Sequence, residues 1–499
     1  MADKNEINEI SFNDVVDSET GIPKTTLRST LISRVEKPIN PWKILRSLNK
    51  AQTITFLAAF LGWTLDAFDF FTVSFALPYI AKEFQMQPSK ISASITVTLM
   101  FRPVGALIFG LLSDRFGRRY PLMADILLFS TMEFASGFAP NFQSFIVLRA
   151  IFGLAMGGEW GLGAALTMEI LPPEARGLVS GILQQGYAAG YIVAAIFYYL
   201  VTVNLGWRAM FWIGSFPALL VILLRFYVPE SQLWERSRES HKSIGHSWIN
   251  EIKLVFKHHW SKIIHTILLM AGLNFISHGK KNDHNIINRY KRALNYFLLS
   301  IGTQDLYPTY LKTQLLFSPE EITVTTIVAN VGAIIGGAVC GYVSQYLGRR
   351  RTIIVAMVLL GASLPLFVLP RNRVLLSVGA FLVYFFVQGA YGIAPAHLNE
   401  LSPPNFRGTF PGFTYQLGVL IASSSAQIEA VLGEKFPKDG LPDYGLTQAI
   451  LTACAAFCLI ILASIGKEAK NVDFVEVEIV DDLKSDTKQD DTEKESLHE

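Results

Sequence analysis

The sequence is poor in charged residues. Only 17% of its 499 residues are Asp, Glu, Lys or Arg, whereas 51% are hydrophobic. Soluble globular domains carry about 25% charged residues, so a soluble enzyme or binding domain fits this composition badly. The formal net charge of +2 provides no strong field of either sign, and no nucleic-acid partner is expected. The composition favours a protein that lies in the lipid bilayer.

Cysteine is also scarce, and no leader sequence is expected. Cys340, Cys454 and Cys458 all lie in apolar runs, so they imply no disulfide framework. Residues 1–50 are polar and contain no short apolar core behind a basic start, which argues against a cleavable signal peptide. No pairing of a nucleophile with a base and no set of metal ligands stands out. An enzyme is therefore not expected.

Long apolar runs are abundant, and each is near the length of about 20 residues that crosses a bilayer. The first six cover roughly 53–80, 91–113, 120–139, 143–170, 178–203 and 207–228. The second six cover roughly 262–279 continued by 303–314, then 322–346, 351–370, 374–398, 409–432 and 444–466. These runs predict an all-α polytopic membrane protein with twelve spans, provided that the interrupted run counts once.

The charged segments divide the chain further. We assign residues 1–50 to an N-terminal tail, 51–228 and 261–466 to two six-helix bundles, 229–260 to a central loop and 467–499 to an acidic tail. Arginine is concentrated in the loops that follow the even-numbered spans. Because short cytosolic loops are enriched in Lys and Arg, both tails and the central loop are expected in the cytosol.

An internal repeat supports two related halves. GLLSDRFGRR at 110–119 recurs as GYVSQYLGRR at 341–350, and EILPPEARG at 169–177 recurs as ELSPPNFRG at 400–408. Both pairs are 231 residues apart, and Gln185 matches Gln416 at the same offset. A constant register is typical of parallel repeats related by an axis along the membrane normal.

These loops, with RAIFG at 149–153 and PES at 229–231, resemble the major facilitator superfamily. The resemblance covers residues 50–466 and implies six plus six helices around a central cavity, working by alternating access. It further implies that the repeated loops gate the cytosolic side. The gating residues are expected to be Gly110, Asp114, Arg115, Gly117, Arg118, Gly348, Arg349 and Arg350.

A basic, polar insertion interrupts the seventh apolar run at residues 280–302. A genuine loop and a thirteenth span are both possible, but a broken spanning helix exposes backbone groups that lipid cannot satisfy. Gly279-Lys280 can be encoded by GGT-AAG, which holds a splice donor, and Ile301-Gly302 by ATA-GGN, which holds an acceptor. Excision removes 69 nucleotides for these 23 residues and keeps the frame. We therefore favour a retained intron, and sequencing of the transcript tests this hypothesis.

Without the insertion, the seventh run reads NFISHGTQDLYPT. In this joined sequence Asn274, Ser277, His278 and Asp305 lie near one face of a helix, with His278 and Asp305 four positions apart. The shorter offset of 208 before the insertion sets Asp66 against Asn274 and Asp69 against Ser277. Ionisable groups inside a span are functional by default, and a histidine suits proton transfer near neutral pH. A hydrogen-bonded network between helices is the alternative.

The joined pattern, with DAFDFF at 66–71 and YQLG at 415–418, resembles the fungal lactate and pyruvate:proton symporters, the Jen-type monocarboxylate permeases. The insertion is a departure from that family. The resemblance implies substrate-binding roles for Arg149, Asn274, Ser277, Gln304, Thr309 and Gln416. It also implies that His278 and Asp305 handle the proton.

Further charged residues lie inside the first spans, and of these Glu133 and Glu159 are expected to balance charge between spans. A guanidinium can hold a carboxylate with two hydrogen bonds, which favours Arg149 as the substrate ligand, although a structural role is equally compatible with its position. Arg102 precedes Pro103 and is the second cation. Asp66 and Asp69 share a helix face, where they are candidate proton carriers or partners of these arginines, and we expect one of them to be a partner.

We therefore expect a plasma-membrane symporter that moves a small carboxylate anion with protons and has no cofactor beyond the coupling proton. A dicarboxylate or sugar-acid symporter and a transport-inactive nutrient sensor are the alternatives. Lysines among the serines and threonines of the C-terminal tail are candidate targets of ubiquitin ligases.

Overall fold

The computed structural model describes residues 38–86, 88–236, 238, 248–277, 307, 310–311, 314–422, 437–438, 441–472 and 474. These residues are helical apart from connecting turns and one short antiparallel pair, Pro437–Lys438 with Leu441–Pro442. Eight of the described helices are long and apolar enough to cross a membrane. The predicted all-α membrane fold is therefore confirmed.

The first half follows a short helix, Pro41–Ser47, and ends before the central connector. Spans one to four are Lys50–Glu83, Pro88–Phe116, Arg119–Ser136 and Phe142–Ile170. Span five comprises Pro173–Gln184, Gly186–Phe197, a π-helical turn at Tyr198–Thr202 and Val203–Leu205, and span six is Trp207–Phe226. The break in span five after Gln184 was not predicted from the sequence.

The second half has the same order. The first part of span seven is Trp248–Ser277, and spans eight and nine are Pro319–Leu347 and Arg349–Val368. Span ten comprises Arg373–Gly392 and Ala394–Leu401, and a 3-10 turn at Pro404–Phe406 precedes span eleven, Thr409–Ala422, and span twelve, Tyr444–Ile465. Span seven thus begins inside the region assigned to the central loop, because a polar helical extension precedes its apolar part.

Glycine packing shows that the sequence repeat is also a structural repeat. A Cβ atom on Gly105 of span two would lie 1.7 Å from the carbonyl oxygen of Leu154 in span four. The equivalent contact, 231 residues later, joins Gly336 to the carbonyl oxygen of Phe385 at 2.0 Å. Small residues permit such close approach of membrane helices. Spans two and four of the first half therefore pack in the same way as spans eight and ten of the second.

Part of the seventh run lies outside the described residues. This applies to His278, Gln304, Asp305, Thr309 and the whole insertion, and of Ser277 only the backbone is described. On the two sides of the insertion, Leu273 and Tyr307 belong to one buried cluster, which includes Phe367 stacked on Tyr307 at 4.1 Å. Both flanks therefore pack into the second half.

Candidate functional site

The two halves meet at a stacked aromatic pair. Trp160 of span four lies on Tyr415 of span eleven, with ring centroids 3.9 Å apart and planes 17° apart. The indole of Trp160 donates a 2.9 Å hydrogen bond to Gln184 Oε1 at the break in span five, and Trp63 of span one packs edge-on against it at 6.5 Å. Residues from both halves thus form one aromatic wall.

Arg102 is the cation at this wall. It is 3% exposed, and it interacts electrostatically with the hydroxyl groups of Tyr391 and Tyr415, both from the second half. Its ion pair with Asp66 is long, at 4.0 Å, and among the described residues its Nε has no hydrogen-bond partner. Of the two span-one aspartates, Asp66 thus lies at ion-pair distance from an arginine, and the roles of both stay a prediction.

Two predicted amide side chains lie in the second half near the interface. Asn274 and Gln416 are fully buried. Their helices are in close contact, since a Cβ on Gly418 would lie 2.6 Å from Cβ of Met270. Asn274 donates to the Met270 carbonyl at 2.8 Å, but within the described part of the chain its Oδ1 and both polar atoms of the Gln416 side chain have no partner. These atoms are available to a polar ligand.

Arg149 lies elsewhere, inside the first half. Its Nη2 contacts Glu133 Oε2 at 2.5 Å and Ser136 Oγ at 2.8 Å. The ring of Phe152 covers the guanidinium at 4.1 Å. In the part of the chain that the structure describes, the Nε and Nη1 of Arg149 have no hydrogen-bond partner, so a substrate carboxylate would bind a guanidinium that already pairs with Glu133. The sequence did not indicate this pairing, because it does not reveal which faces of two helices meet, and a substrate role for Arg149 stays a prediction.

Four more ionisable side chains share this interior. Asp69 interacts with Glu133 and Arg149, and Glu159 pairs with Arg225 at 3.5 Å. Asp125 of span three interacts with the Glu159–Arg225 pair. Asp125 and Arg225 escaped the sequence reasoning, although each is an ionisable residue inside an apolar run, and that signal could have found them.

The first gating loop joins the two halves at one end of the bundle, which we call the loop face. Asp114 Oδ1 accepts from Arg118 Nη1 and from the backbone N–H of Gly408, both at 2.8 Å. Its Oδ2 accepts from the hydroxyl of Thr409 at 2.6 Å. Arg118 also contacts Glu169 at 3.1 Å. Although burial opposes it, the carboxylates of Glu169 and Asp114 raise the pKa of Arg118, which therefore stays charged.

Other residues of this loop shape the contact. A Cβ atom on Gly110 would lie 2.6 Å from Cα of Thr409, so span two approaches span eleven closely. Gly117 has φ +100°, a conformation that favours glycine. Arg115 lies at the exposed rim, 5.2 Å from the Phe116 ring.

The second gating loop mirrors the first. Arg349 forms two hydrogen bonds with Glu400, at 2.8 and 2.9 Å, and a third with Gln345 Oε1 at 2.9 Å. Gln345, the equivalent of Asp114, accepts from the backbone N–H of Gly177 at 3.1 Å. Gly348 also has φ +100°, and Arg350 donates to the carbonyls of Ala463 and Ser464. Two related contacts thus join the halves at the loop face. The first is made by the charged side chain of Asp114 and the second by the neutral side chain of Gln345.

Known proteins share this architecture. Residues 36–280 match the model of the Major Facilitator Superfamily, and residues 282–465 match that of the Sugar (and other) transporter family. The chain is similar in fold to the proton:xylose symporter XylE, with a TM-score of 0.65, 18% identity and coverage of 86% of this chain and 98% of that chain.

Curated relatives are transporters as well. The chain is 28% identical to the carboxylic acid transporter protein homolog of Saccharomyces cerevisiae, over 86% of this chain and 70% of that protein. It is 30% identical to the probable 4-methylmuconolactone transporter of Cupriavidus pinatubonensis, over 81% of this chain and 87% of that protein. It is 29% identical to the cis,cis-muconate transport protein of Acinetobacter baylyi, over 83% and 94%. The chain therefore belongs to the Major Facilitator Superfamily, and it is a membrane transporter rather than an enzyme.

Proposed function

We propose that the protein is a proton-coupled symporter of small carboxylates, with short monocarboxylates such as lactate, pyruvate and acetate as substrates, of the Jen type. It acts at the plasma membrane with both termini in the cytosol. The observation that carries the proposal is the position of Arg102, a buried cation at the junction of the halves with donor capacity to spare.

A carboxylate suits this cation. Two planar hydrogen bonds between a carboxylate and a guanidinium are stronger than a single ion pair at 4.0 Å. A substrate carboxylate therefore competes well with Asp66 for Arg102. When the anion takes Arg102, Asp66 loses its counter-charge inside the bilayer. A buried, uncompensated carboxylate is costly, and a proton on Asp66 removes that cost. Anion and proton are thereby bound together.

The amides complete the site. The unpartnered atoms of Asn274 and Gln416 supply hydrogen bonds to the carbonyl or hydroxyl group beside the carboxylate, since leaving buried polar atoms unpaired is unfavourable. Ser277, Gln304 and Thr309 are proposed to extend this surface, with His278, Asp305 and Asp69 as further proton carriers. The names of the yeast and Acinetobacter relatives support a carboxylate substrate.

A dicarboxylate is the second candidate. The relative named for cis,cis-muconate and the aromatic wall of Trp160 and Tyr415 both favour a larger, flat acid. Competition with lactate uptake distinguishes the monocarboxylate from the dicarboxylate, because a site for monocarboxylates excludes the second negative charge of a dicarboxylate.

The test is uptake of radiolabelled lactate by the purified full chain in proteoliposomes with an imposed pH gradient. We expect uptake to rise when the outside is acidic and to fall when a proton uncoupler is added. Excess pyruvate should compete, and excess succinate or muconate should not. Uptake that is insensitive to the uncoupler would refute proton coupling, and stronger competition by muconate would favour the dicarboxylate.

A further inference from the structure

The interior of the first half holds more acids than bases. Besides Asp114 and Glu169, which pair with Arg118 at the loop face, eight ionisable residues within spans one, two, three, four and six are each at most 3% exposed. Five are acids and three are arginines: Asp66, Asp69, Asp125, Glu133, Glu159, Arg102, Arg149 and Arg225. Full ionisation would leave two uncompensated negative charges in the bilayer, which is strongly unfavourable.

The ion pairs show which acids lack a counter-charge. Glu133 lies 2.5 Å from Arg149, Glu159 lies 3.5 Å from Arg225, and Asp66 lies 4.0 Å from Arg102. Among the described residues, Asp69 and Asp125 form no ion pair within 4.0 Å, and, as in Asp66 and Glu159, neither carboxylate oxygen has a hydrogen-bond partner. These two side chains are the natural sites for the two protons.

We infer that Asp125 is a proton-carrying residue of the transport cycle, the counterpart of Asp69 that lies nearer the loop face. This inference rests on the proposed proton coupling. Asp125 is six residues into span three, which starts at the loop face, and therefore lies about 9 Å along the helix from that end. Asp69 is 19 residues into span one, about 28 Å from its start at the same face. The two acids thus lie at different depths.

The surroundings of Asp125 provide a route for the proton. Span four approaches closely, since a Cβ atom on Gly158 would lie 2.8 Å from Asp125 Oδ1. The charged groups that face Asp125 are Asp66 from span one, Glu159 from span four and Arg225 from span six. Asp66 in turn interacts with Glu159. A proton released when Arg102 and Asp66 pair again can pass along these carboxyls to Asp125 and the loop face.

The decisive variant is Asp125→Asn, which keeps the shape and removes the titrating group. In proteoliposomes of the full chain, we expect exchange of labelled for unlabelled lactate within about twofold of the unchanged protein, because exchange needs no net proton movement. Accumulation driven by a pH gradient should be lost. Asp125→Glu, the matched control, should keep accumulation. Normal accumulation by Asp125→Asn, or loss of exchange together with accumulation in folded protein, would overturn the inference.

An infrared measurement makes the test independent of transport. A protonated carboxyl gives its own C=O band, and we expect part of this band at neutral pH to disappear in Asp125→Asn and to shift in Asp125→Glu. If the unchanged protein transports no carboxylate, the proposed function fails while this measurement still tests the protonation of Asp125. A band unaffected by either variant would refute it. Should Asp125→Asn not fold, the shift in Asp125→Glu decides alone.

A second feature, at the loop face, is carried by different contacts. The segment Glu468–Phe474 lies near the start of the region assigned to the acidic tail, 467–499, yet its described residues pack across both halves. The Glu468 carboxylate accepts from the backbone N–H groups of Arg349 and Arg350, both at 3.1 Å. The carbonyl of Val472 accepts from Arg176 at 2.8 Å.

Phe474 lies between the halves. Its ring is 3.8 Å from the guanidinium of Arg176 and 4.4 Å from that of Arg407, and its side chain is 2% exposed. Arg176 and Arg407 are equivalent residues of the two repeats, 231 positions apart. One aromatic ring therefore joins two related cations, one from each half.

The geometry points to Glu468–Phe474 as a latch that holds the loop face closed. Opening of this face separates Arg176 from Arg407, so Phe474 cannot keep both contacts. Each cation–π contact is worth about 0.5–2 kcal/mol, which is enough to shift the equilibrium between closed and open forms about tenfold.

Spin labels at Tyr120 and Arg351, equivalent positions at the start of spans three and nine, report the opening. In a full chain with its native cysteines replaced, Phe474→Ala should raise the population of long distances about tenfold. Phe457→Ala, at a residue 64% exposed on span twelve, is the control and should leave it unchanged. Identical distributions for the two variants would refute the latch. If Phe474→Ala does not fold, Arg407→Lys, which loses the planar contact, should show the same opening.

Discussion

The carboxylate of Asp114 in the first half accepts two hydrogen bonds from Thr409 in the second, at 2.6 Å from its hydroxyl and 3.0 Å from its backbone nitrogen. Hydrogen bonds to a charged group contribute about 1.5–3 kcal/mol. In a cycle of alternating access this contact would break when the loop face opens, so we expect its strength to set part of the balance between the closed and open states.

Replacement of Asp114 by Asn should therefore open the loop face. We expect the closed form to lose about 10- to 100-fold in relative population, because Asn supplies one acceptor oxygen in place of two. The distance between spin labels at Tyr120 and Arg351 measures the change. Gln345→Asn, at the neutral equivalent position, should have a smaller effect. An unchanged distance distribution in Asp114→Asn would show that this contact does not control the gate.

A larger side chain at Gly181 should also open the loop face, because it would clash sterically with the other half. A Cβ atom there would lie 2.3 Å from the carbonyl oxygen of Gly337 in the other half, and backbone atoms cannot move aside locally. Gly181→Val is expected to hold the halves apart and to reduce lactate uptake at least tenfold, while the protein stays folded. Gly361→Val is the control, because a Cβ on Gly361 meets no atom within 4 Å. Normal uptake by Gly181→Val would contradict tight closure at this point.

Substitution of Arg102 should reduce substrate binding, whereas substitution of Arg149 should reduce stability. Arg102→Ala is expected to weaken lactate binding by about 10- to 100-fold, the range for charge-assisted hydrogen bonds. We expect little loss of thermal stability, because the ion pair is long and a proton on Asp66 replaces the lost counter-charge. Isothermal calorimetry and thermal unfolding in detergent measure the two effects. Unchanged affinity would remove Arg102 from the binding site.

Arg149→Met should instead act on stability. It leaves Glu133 buried without its partner at 2.5 Å, and breaking a buried pair costs about 3–5 kcal/mol. Addition of Glu133→Gln should restore much of the melting temperature, since the isolated charge is then removed. A stable Arg149→Met protein that no longer binds lactate would favour the predicted role of Arg149 as the substrate ligand.

The insertion at 280–302 gives the last prediction. Deletion of these 23 residues should restore a continuous span seven and raise lactate uptake above that of the full chain by at least tenfold. A matched deletion variant that also carries Asn274→Ala should lose this gain, because the amide is proposed to bind the substrate. Equal uptake with and without the insertion would favour a genuine loop over a retained intron.

Several features followed from the sequence because they depend on local pattern. Apolar run length predicted the membrane helices, and the offset of 231 predicted the equivalence of Arg118 with Arg349. Arg118 pairs with Glu169 and Arg349 pairs with Glu400, and the equivalent members of the two pairs are 231 positions apart. The pairing of Asp66 with Arg102 was also within reach, since few charges lie inside the spans.

The tertiary structure decided how the helices turn toward one another. Helix rotation and tilt depend on packing against several neighbours at once, which a single sequence does not display. For this reason only the structure placed Arg149 beside Glu133, brought Arg102 to the aromatic wall, and set Phe474 between Arg176 and Arg407. The sequence by itself determined the class, the repeat and the candidate residues, and the packing of the two halves decided which of them meet.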